Sequence, residues 1–176
     1  MLPPSRWTLA ETGWCLRANR AADRQAVRIA FALVSRLGDG LAWYLLMAGI
    51  VLVDGVDGLP ASAQLAATGA VALGLYKTLK RWARRPRPFA DDDRIRAWVA
   101  PLDEFSFPSG HTLHAVAFTT VAVAWYPALA WLLLPFTAAV AASRVVLGLH
   151  YPSDVIAATA IGSALGALSL WIHAPA

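Results

Sequence analysis

The most constraining feature of this chain is where its charge is missing. Residues 41–53, 61–76, 113–142 and 155–172 contain no Asp, Glu, Lys or Arg and are overwhelmingly apolar. Such runs read as membrane spans, although several fall short of the ~20 residues that a bilayer core asks of a helix. Residues 41–53 are the poorest case, spanning only if Asp39 and Asp54 lie in the headgroup zones or the helix is buried among neighbours. Composition points the same way. The chain is 58% hydrophobic and 15% charged, against roughly 45–50% and a quarter in soluble domains. Disorder is excluded because so apolar a chain has too much to bury. An internal disulfide is excluded because Cys15 is the single cysteine. At 176 residues the length suits one domain with an appendage. No basic segment followed by a short apolar stretch opens the chain, so no cleavable leader is expected.

The run 113–142 is too long for one untilted crossing, since 30 helical residues measure about 45 Å. Tyr126-Pro127 divides it, because the residue before a proline resists the α conformation. Pro135 then kinks the second helix or loosens its early turns. The expected fold class is therefore all-α: an integral membrane helix bundle with about five spans, near 41–56, 60–79, 110–125, 128–147 and 153–172. Gly69, Gly74, Gly162 and Gly166 recur within these spans, as suits helices packing closely in lipid. The first 37 residues differ. Arg17, Arg20, Arg24 and Arg28 stand three to four apart on one helical face. Residues 1–37 form a basic amphipathic segment, read either as a helix on an anionic membrane surface or as a solvated face packed on the bundle. Residues 38–176 form the transmembrane domain.

Four segments carry residues suited to chemistry: Lys80 to Pro88, Pro108-Ser109-Gly110-His111, Ser143-Arg144, and His150 to Asp154. With five spans all of them emerge on one side of the membrane. With 113–142 as a single helix, His111 and Arg144 would lie a bilayer apart. His150 and Asp154, four apart, share a helical face, and a carboxylate on Nδ1–H fixes the imidazole tautomer and exposes Nε2 as a nucleophile. Lys80, Arg87 and Arg144 bring cations to the same mouth, and a phosphoryl group is their natural guest. Gly110 permits close backbone approach, and the helix start at Pro108 to His111 offers free N–H groups to phosphate. A second histidine there, His111, is placed to protonate a leaving oxygen and then to activate water.

These residues resemble the three-part signature of the type-2 phosphatidic acid phosphatase superfamily: K-x6-RP, PSGH and SR-x5-H-x3-D. All eleven fixed positions match in order and spacing, and the resemblance covers about residues 38–172. It implies a phosphatase needing no metal or other cofactor and working through a phosphohistidine. It implies His150 as nucleophile, Asp154 as its orienter, and His111 as general acid and then base. Lys80, Arg87, Arg144, Ser109 and the Gly110 N–H are implied as ligands of the phosphate oxygens. The superfamily also holds soluble acid phosphatases and vanadium haloperoxidases, and the charge-free spans point to its membrane lipid-phosphatase branch.

Taken singly, each of these residues has a plainer reading. Arg144 suits a snorkelling anchor, His150 an interfacial histidine, and Lys80 to Arg87 a juxtamembrane basic patch. Their convergence on one membrane face favours catalysis. Lys77, Arg81, Arg84 and Arg85 fall outside the signature and read as headgroup contacts or a solvated face. Asp91, Asp92 and Asp93 read as a solvated loop rather than a metal site. Asp103 and Glu104 either screen the cationic mouth or select substrates. His114 packs or hydrogen-bonds within the bundle. Trp43, Trp82, Trp125, Trp131 and Trp171 fall near span ends, as interface belts do.

Five spans put all fifteen Lys and Arg on the motif side, with Asp54 and Asp57 opposite. The positive-inside rule then places the site on the cytoplasmic face of a multi-pass protein of a bacterial inner or plasma membrane. A sixth span over 26–38 would bury Arg28 and Arg36. The expected partners are the bilayer and a lipid phosphate, with no nucleic acid. The substrate is a polyprenyl phosphate or diphosphate, or a glycerophospholipid monoester such as phosphatidate or phosphatidylglycerophosphate. Phosphotransfer to another lipid, and a lipid-phosphate-binding protein without catalysis, are the alternatives. The sequence is silent on oligomeric state.

Overall fold

The computed structural model describes residues 6–174, and side chains from Ala10 onward. Among these residues there are helices and no strands. Helix α1 (Arg6–Ala21) ends in a short turn, and α2 (Gln25–Arg36) follows. A π-helical segment, Leu37–Leu41, joins α2 to α3 (Ala42–Asp54), with Asp39 and Gly40 leaving helical angles. The Trp43 indole N–H donates to the Gly38 carbonyl at 3.2 Å and pins this kink. A 3-10 turn, Gly55–Gly58, leads to α4 (Leu59–Ala83), the longest helix at 25 residues. Arg84, in the left-handed region at φ 46°, ends α4 ahead of Pro86.

The one-turn helix α5 (Pro88–Asp91) lies in the connection to α6 (Gly110–Trp125). Tyr126 leaves helical angles and Pro127–Leu129 forms a 3-10 turn, so the 113–142 run breaks where its proline demands. Helix α7 (Ala130–Val146) carries Pro135 inside it without ending there. Helix α8 (Pro152–Ile172) opens with Pro at its first position, where the missing N–H costs no hydrogen bond. By length and composition alone, the helical run Gln25–Asp91 and the helices at Pro127–Val146 and Pro152–Ile172 are long and apolar enough to cross a membrane. The chain is an all-helical integral membrane protein.

Helix α6 is the centre of the bundle, packed against α4, α7 and α8. Its Leu113, Ala115, Ala117, Val121 and Ala122 are buried. The small residues of α8 set how near it comes. A Cβ on Gly162 would lie 2.6 Å from the Leu113 carbonyl oxygen, so only glycine fits that crossing. The outer surface is the reverse of a soluble protein's. Leu52, Val53, Trp131 and Trp171 are each more than four-fifths exposed, an arrangement that fits a surface covered by lipid. At the end away from Lys80 and His150, Gln64 donates to the Ser169 and His173 carbonyls and accepts the Trp125 indole N–H, satisfying a buried amide.

Candidate active site

The loop after α4, the start of α6, the end of α7 and the start of α8 meet at one end of the bundle. Lys80, in the last turn of α4, is buried, as are Arg87 in the following loop and Arg144 near the end of α7. His150 lies on the turn between α7 and α8, which closes on itself through the Arg144 carbonyl. That oxygen accepts both the Leu149 N–H at 3.0 Å and the His150 N–H at 3.1 Å. Gly148 makes the turn possible. Its φ is 76°, and a Cβ there would meet the Arg96 carbonyl oxygen at 2.4 Å. The backbone thus fixes His150 relative to Arg144, six residues apart in sequence.

These groups surround a cavity of about 400 Å³. Its polar end is lined by Lys80, Arg87, His111, Arg144 and His150, together with Asp39 and Asp103. Arg87 organises this end. One terminal nitrogen donates to the Leu149 carbonyl at 2.8 Å and lies 3.3 Å from His150 Nε2. The other donates to Asp103 Oδ1 at 2.7 Å. Lys80 Nζ reaches the same carboxylate oxygen at 2.5 Å. Asp103 therefore screens two of the cations at the mouth. Burial works to raise its carboxyl pKa, but Lys80 and Arg87 prevail and hold it below the usual range. Arg144 donates through one terminal nitrogen to Ser35 Oγ, while its buried Nε has no hydrogen-bond partner among the described residues. A desolvated guanidinium with an orphaned N–H is costly unless an anion completes it.

Burial, reinforced by Arg144, Arg87 and Lys80, pushes the His150 pKa well below its ordinary value, so the ring is neutral at pH 7. His150 Nε2 lies beside Arg87, and Nδ1 lies 3.6 Å from Asp154 Oδ2, beyond hydrogen-bond distance, with no hydrogen-bond partner among the described residues. Asp154 stands behind the ring, fully buried, and does not line the cavity. His111 lines it, with Nε2 3.6 Å from Asp39 Oδ1. Gly110 lines it as well, but Ser109 does not: its hydroxyl is 2.9 Å from that of Thr112, within the first turn of α6.

The structure thus gathers Lys80, Arg87, Gly110, His111, Arg144 and His150 around one cavity and puts Ser109 and Asp154 behind it. His114 hydrogen-bonds the Gly110 carbonyl at 2.9 Å and sits edge-on to Tyr76. Asp91 accepts the Tyr151 hydroxyl, and Asp92 is held by Arg94. Two residues in the site's neighbourhood had no sequence signal. Asp39 arrives through the α2–α3 kink. Arg85, one of several arginines in its stretch, bonds Asp154 directly.

Beyond its charged end the cavity is apolar. Tyr44 and Met47 of α3, Ala66, Ala70 and Leu73 of α4, and Phe118 of α6 continue its walls. A charged pocket thus opens into a groove between helices whose outer faces are lipid-exposed.

Residues 61–176 match the family model described as the PAP2 superfamily. The chain belongs to the PAP2 superfamily. Among PAP2 relatives, phosphatidylglycerophosphatase B of Escherichia coli is 38% identical over an alignment of 77 residues that covers 39% of this chain and 29% of that protein. Decaprenylphosphoryl-5-phosphoribose phosphatase of Mycobacterium tuberculosis is 37% identical over 100 residues, 56% of this chain and 53% of that protein. The match thus spans under a third of the first relative and about half of the second. In fold, the chain superimposes with a TM-score of 0.77 on a transmembrane PAP2-type phosphatidylglycerolphosphate phosphatase from Bacillus subtilis. That likeness has 23% identity and covers 96% of this chain and 87% of the other. Aquifex aeolicus LpxE gives the same TM-score and identity over 89% of this chain and 92% of its own. The PAP2 match begins in α4, so α1, α2 and α3 lie outside it.

Proposed function

We propose that this protein is a membrane-embedded phosphatase that hydrolyses a lipid phosphate through a phosphohistidine on His150. The observation that carries this reading is the single cavity that joins a cationic end, holding His150 Nε2 beside Arg87, to an apolar groove between α3, α4 and α6. The names of the relatives, both phosphatases of lipid phosphates, support it.

In the first half-reaction His150 Nε2 attacks phosphorus, and the phosphorus–oxygen bond to the lipid breaks. His111 gives its proton to the departing oxygen. Asp154, behind Nδ1, stabilises the ring as it becomes cationic. In the second half-reaction His111 removes a proton from water, which attacks the phosphoryl group, and the His150–phosphorus bond breaks to release inorganic phosphate. Lys80, Arg87, Arg144 and the Gly110 N–H hold the equatorial oxygens as charge spreads over them. Ser109 supports the first turn of α6. No step calls on a metal ion.

The tail of the substrate lies in the groove, which suits a polyprenyl phosphate or diphosphate and a glycerophospholipid monoester alike. The purified protein releases inorganic phosphate from at least one of polyprenyl diphosphate, phosphatidate and phosphatidylglycerophosphate in chelator. A protein that binds these lipids and releases none would be a binding module instead.

The site faces the cytoplasm in this reading. Helix α1, which carries Arg17 and Arg20, packs against α7 and α8 at the site end, so the N-terminal arginines share the side of the motifs. Replacing exposed Asp93 by cysteine tests this directly, because native Cys15 is buried and silent. Asp93→Cys reacts with an impermeant maleimide only after the cytoplasmic face is opened. Labelling from outside intact cells would reverse the orientation.

A further inference from the structure

We propose that Glu11 and Arg85 form a positioning clamp behind Asp154, which makes the N-terminal helix α1 part of the machinery that orients His150. The proposal rests on the phosphohistidine reading, because it assigns a task to residues two and three steps behind the proposed nucleophile.

Asp154 is a fully buried carboxylate, and such a group needs specific partners. Oδ2 accepts the Tyr151 N–H at 2.8 Å and is the oxygen that faces His150 Nδ1. Oδ1 is held by Arg85 at 2.8 Å. With each oxygen tied, the carboxylate has one orientation, the one that turns Oδ2 to the histidine ring. The signature cations Lys80, Arg87 and Arg144 serve the other face of His150, so the direct charge partner of Asp154 is a residue outside the signature.

Arg85 is itself clamped. The nitrogen that bonds Asp154 also donates to Ser153 Oγ at 2.6 Å, and the guanidinium lies over the Tyr151 ring, 4.1 Å from its centroid. Its second terminal nitrogen donates to Glu11 Oε2 at 2.8 Å. Glu11 Oε1 accepts the Ser153 N–H at 2.9 Å, a free donor in the first turn of α8. A planar, five-donor guanidinium fits this fork, whereas a lysine ammonium could not hold both carboxylates in fixed geometry. The charges alternate from Glu11 through Arg85 to Asp154, and the row ends at His150.

The rest of α1 is shaped to deliver Glu11. Glu11, Cys15 and Asn19 are four apart and lie on one helical face. Cys15, fully buried, places Sγ 3.8 Å from the His150 carbonyl oxygen. Asn19 donates to the Val146 and Arg96 carbonyls and accepts the Arg96 N–H. One face of α1 thus docks along the catalytic turn from its beginning to its end.

The test compares Arg85→Gln, Arg85→Lys, Glu11→Gln and the Arg85→Gln/Glu11→Gln double variant with wild type in detergent. Two readouts are taken: phosphate release from lipid phosphate, and the ring nitrogens of His150 by 15N-histidine spectroscopy. Arg85→Gln lowers kcat about 10–100-fold, as loss of a partner behind a functional histidine does elsewhere. KM stays within about twofold, because neither residue touches substrate. Glu11→Gln loses several-fold, and the double variant is no worse than Arg85→Gln, since Glu11 acts through Arg85. Arg85→Lys recovers only part of the loss. In the spectra, the proton held on Nδ1 in wild type becomes shared between the two ring nitrogens in Arg85→Gln. Unchanged His150 resonances in Arg85→Gln and Glu11→Gln, or losses that simply add, would overturn the clamp. Glu11→Gln changes one atom and keeps the side-chain volume, so it reports even if Arg85→Gln misfolds. A wild type that releases no phosphate would defeat the phosphatase reading, while the ring spectra would still decide the clamp.

Discussion

Replacing His150 by alanine removes essentially all phosphate release, a fall of about 10⁴-fold or more in kcat. The size follows from its place. In the proposed mechanism His150 Nε2 is the nucleophile, at the cationic end of the cavity and 3.3 Å from an Arg87 nitrogen, and His111 lines the same cavity. Without that nitrogen water must attack the lipid phosphate directly, and the two-step route is lost. Binding survives, because Lys80, Arg87 and Arg144 remain. The variant therefore competes for lipid phosphate with near-normal affinity while releasing nothing. The ring is neutral, so its removal strands no buried charge, and thermal unfolding in detergent shows a folded protein. Activity in His150→Ala within tenfold of wild type, measured as inorganic phosphate released, would remove the residue from the proposed chemistry.

Arg87→Gln carries the second largest effect, a loss of about 10²–10³-fold in kcat, as when a preorganised donor to a developing charge is deleted. Arg87 touches the His150 ring, the Leu149 carbonyl and Asp103 at once. Its loss therefore removes a proposed ligand of the phosphoryl oxygens and loosens the turn that carries His150. Asp103 keeps its ion pair with Lys80, so no carboxylate is abandoned. Arg87→Lys restores charge but not the fork, and recovers a minor part of the activity. Steady-state kinetics of the two variants beside wild type check this order. Equal activity in Arg87→Gln and wild type would contradict it.

Much of the architecture was legible in the distribution of charge. The empty stretches mark where helices run, and Tyr126-Pro127 divides the long one because a proline constrains its neighbour wherever it stands. The convergence of the four chemistry-bearing segments followed from helix parity alone, and the structure brings Lys80, Arg87, His111, Arg144 and His150 to one cavity.

What stayed hidden depends on contacts between distant parts of the chain. Arg85 sits among Arg81, Arg84 and Arg87 in a stretch where composition singles out none of them. Its partner Glu11 is 74 residues away. Asn19, Cys15 and Glu11 form one helical face, but two of the three are polar, so an apolar periodicity search passes over it. The neighbouring arginines suggested either a surface helix or a helix packed on the bundle with a solvated face, and neither reading singles out the face that docks. The kink at Asp39 and Gly40 is equally local and equally silent, since a glycine beside an aspartate announces a turn more readily than a bend within continuing helix. Ser109 shows the opposite limit. Its position in the PSGH motif suggests a phosphate ligand, yet its hydroxyl is engaged with Thr112 behind the cavity wall.

The most direct test of the account is to trap the intermediate. Purified protein is mixed with a lipid phosphate bearing 32P in the group to be transferred, in chelator, and denatured within the first turnover. The phosphohistidine mechanism predicts a phosphoprotein that is stable in alkali and labile in acid, as a phosphoramidate is, with the label on His150 and none in His150→Ala. Phosphate release from the wild type with no labelled protein at any time, or label retained in His150→Ala, would contradict it.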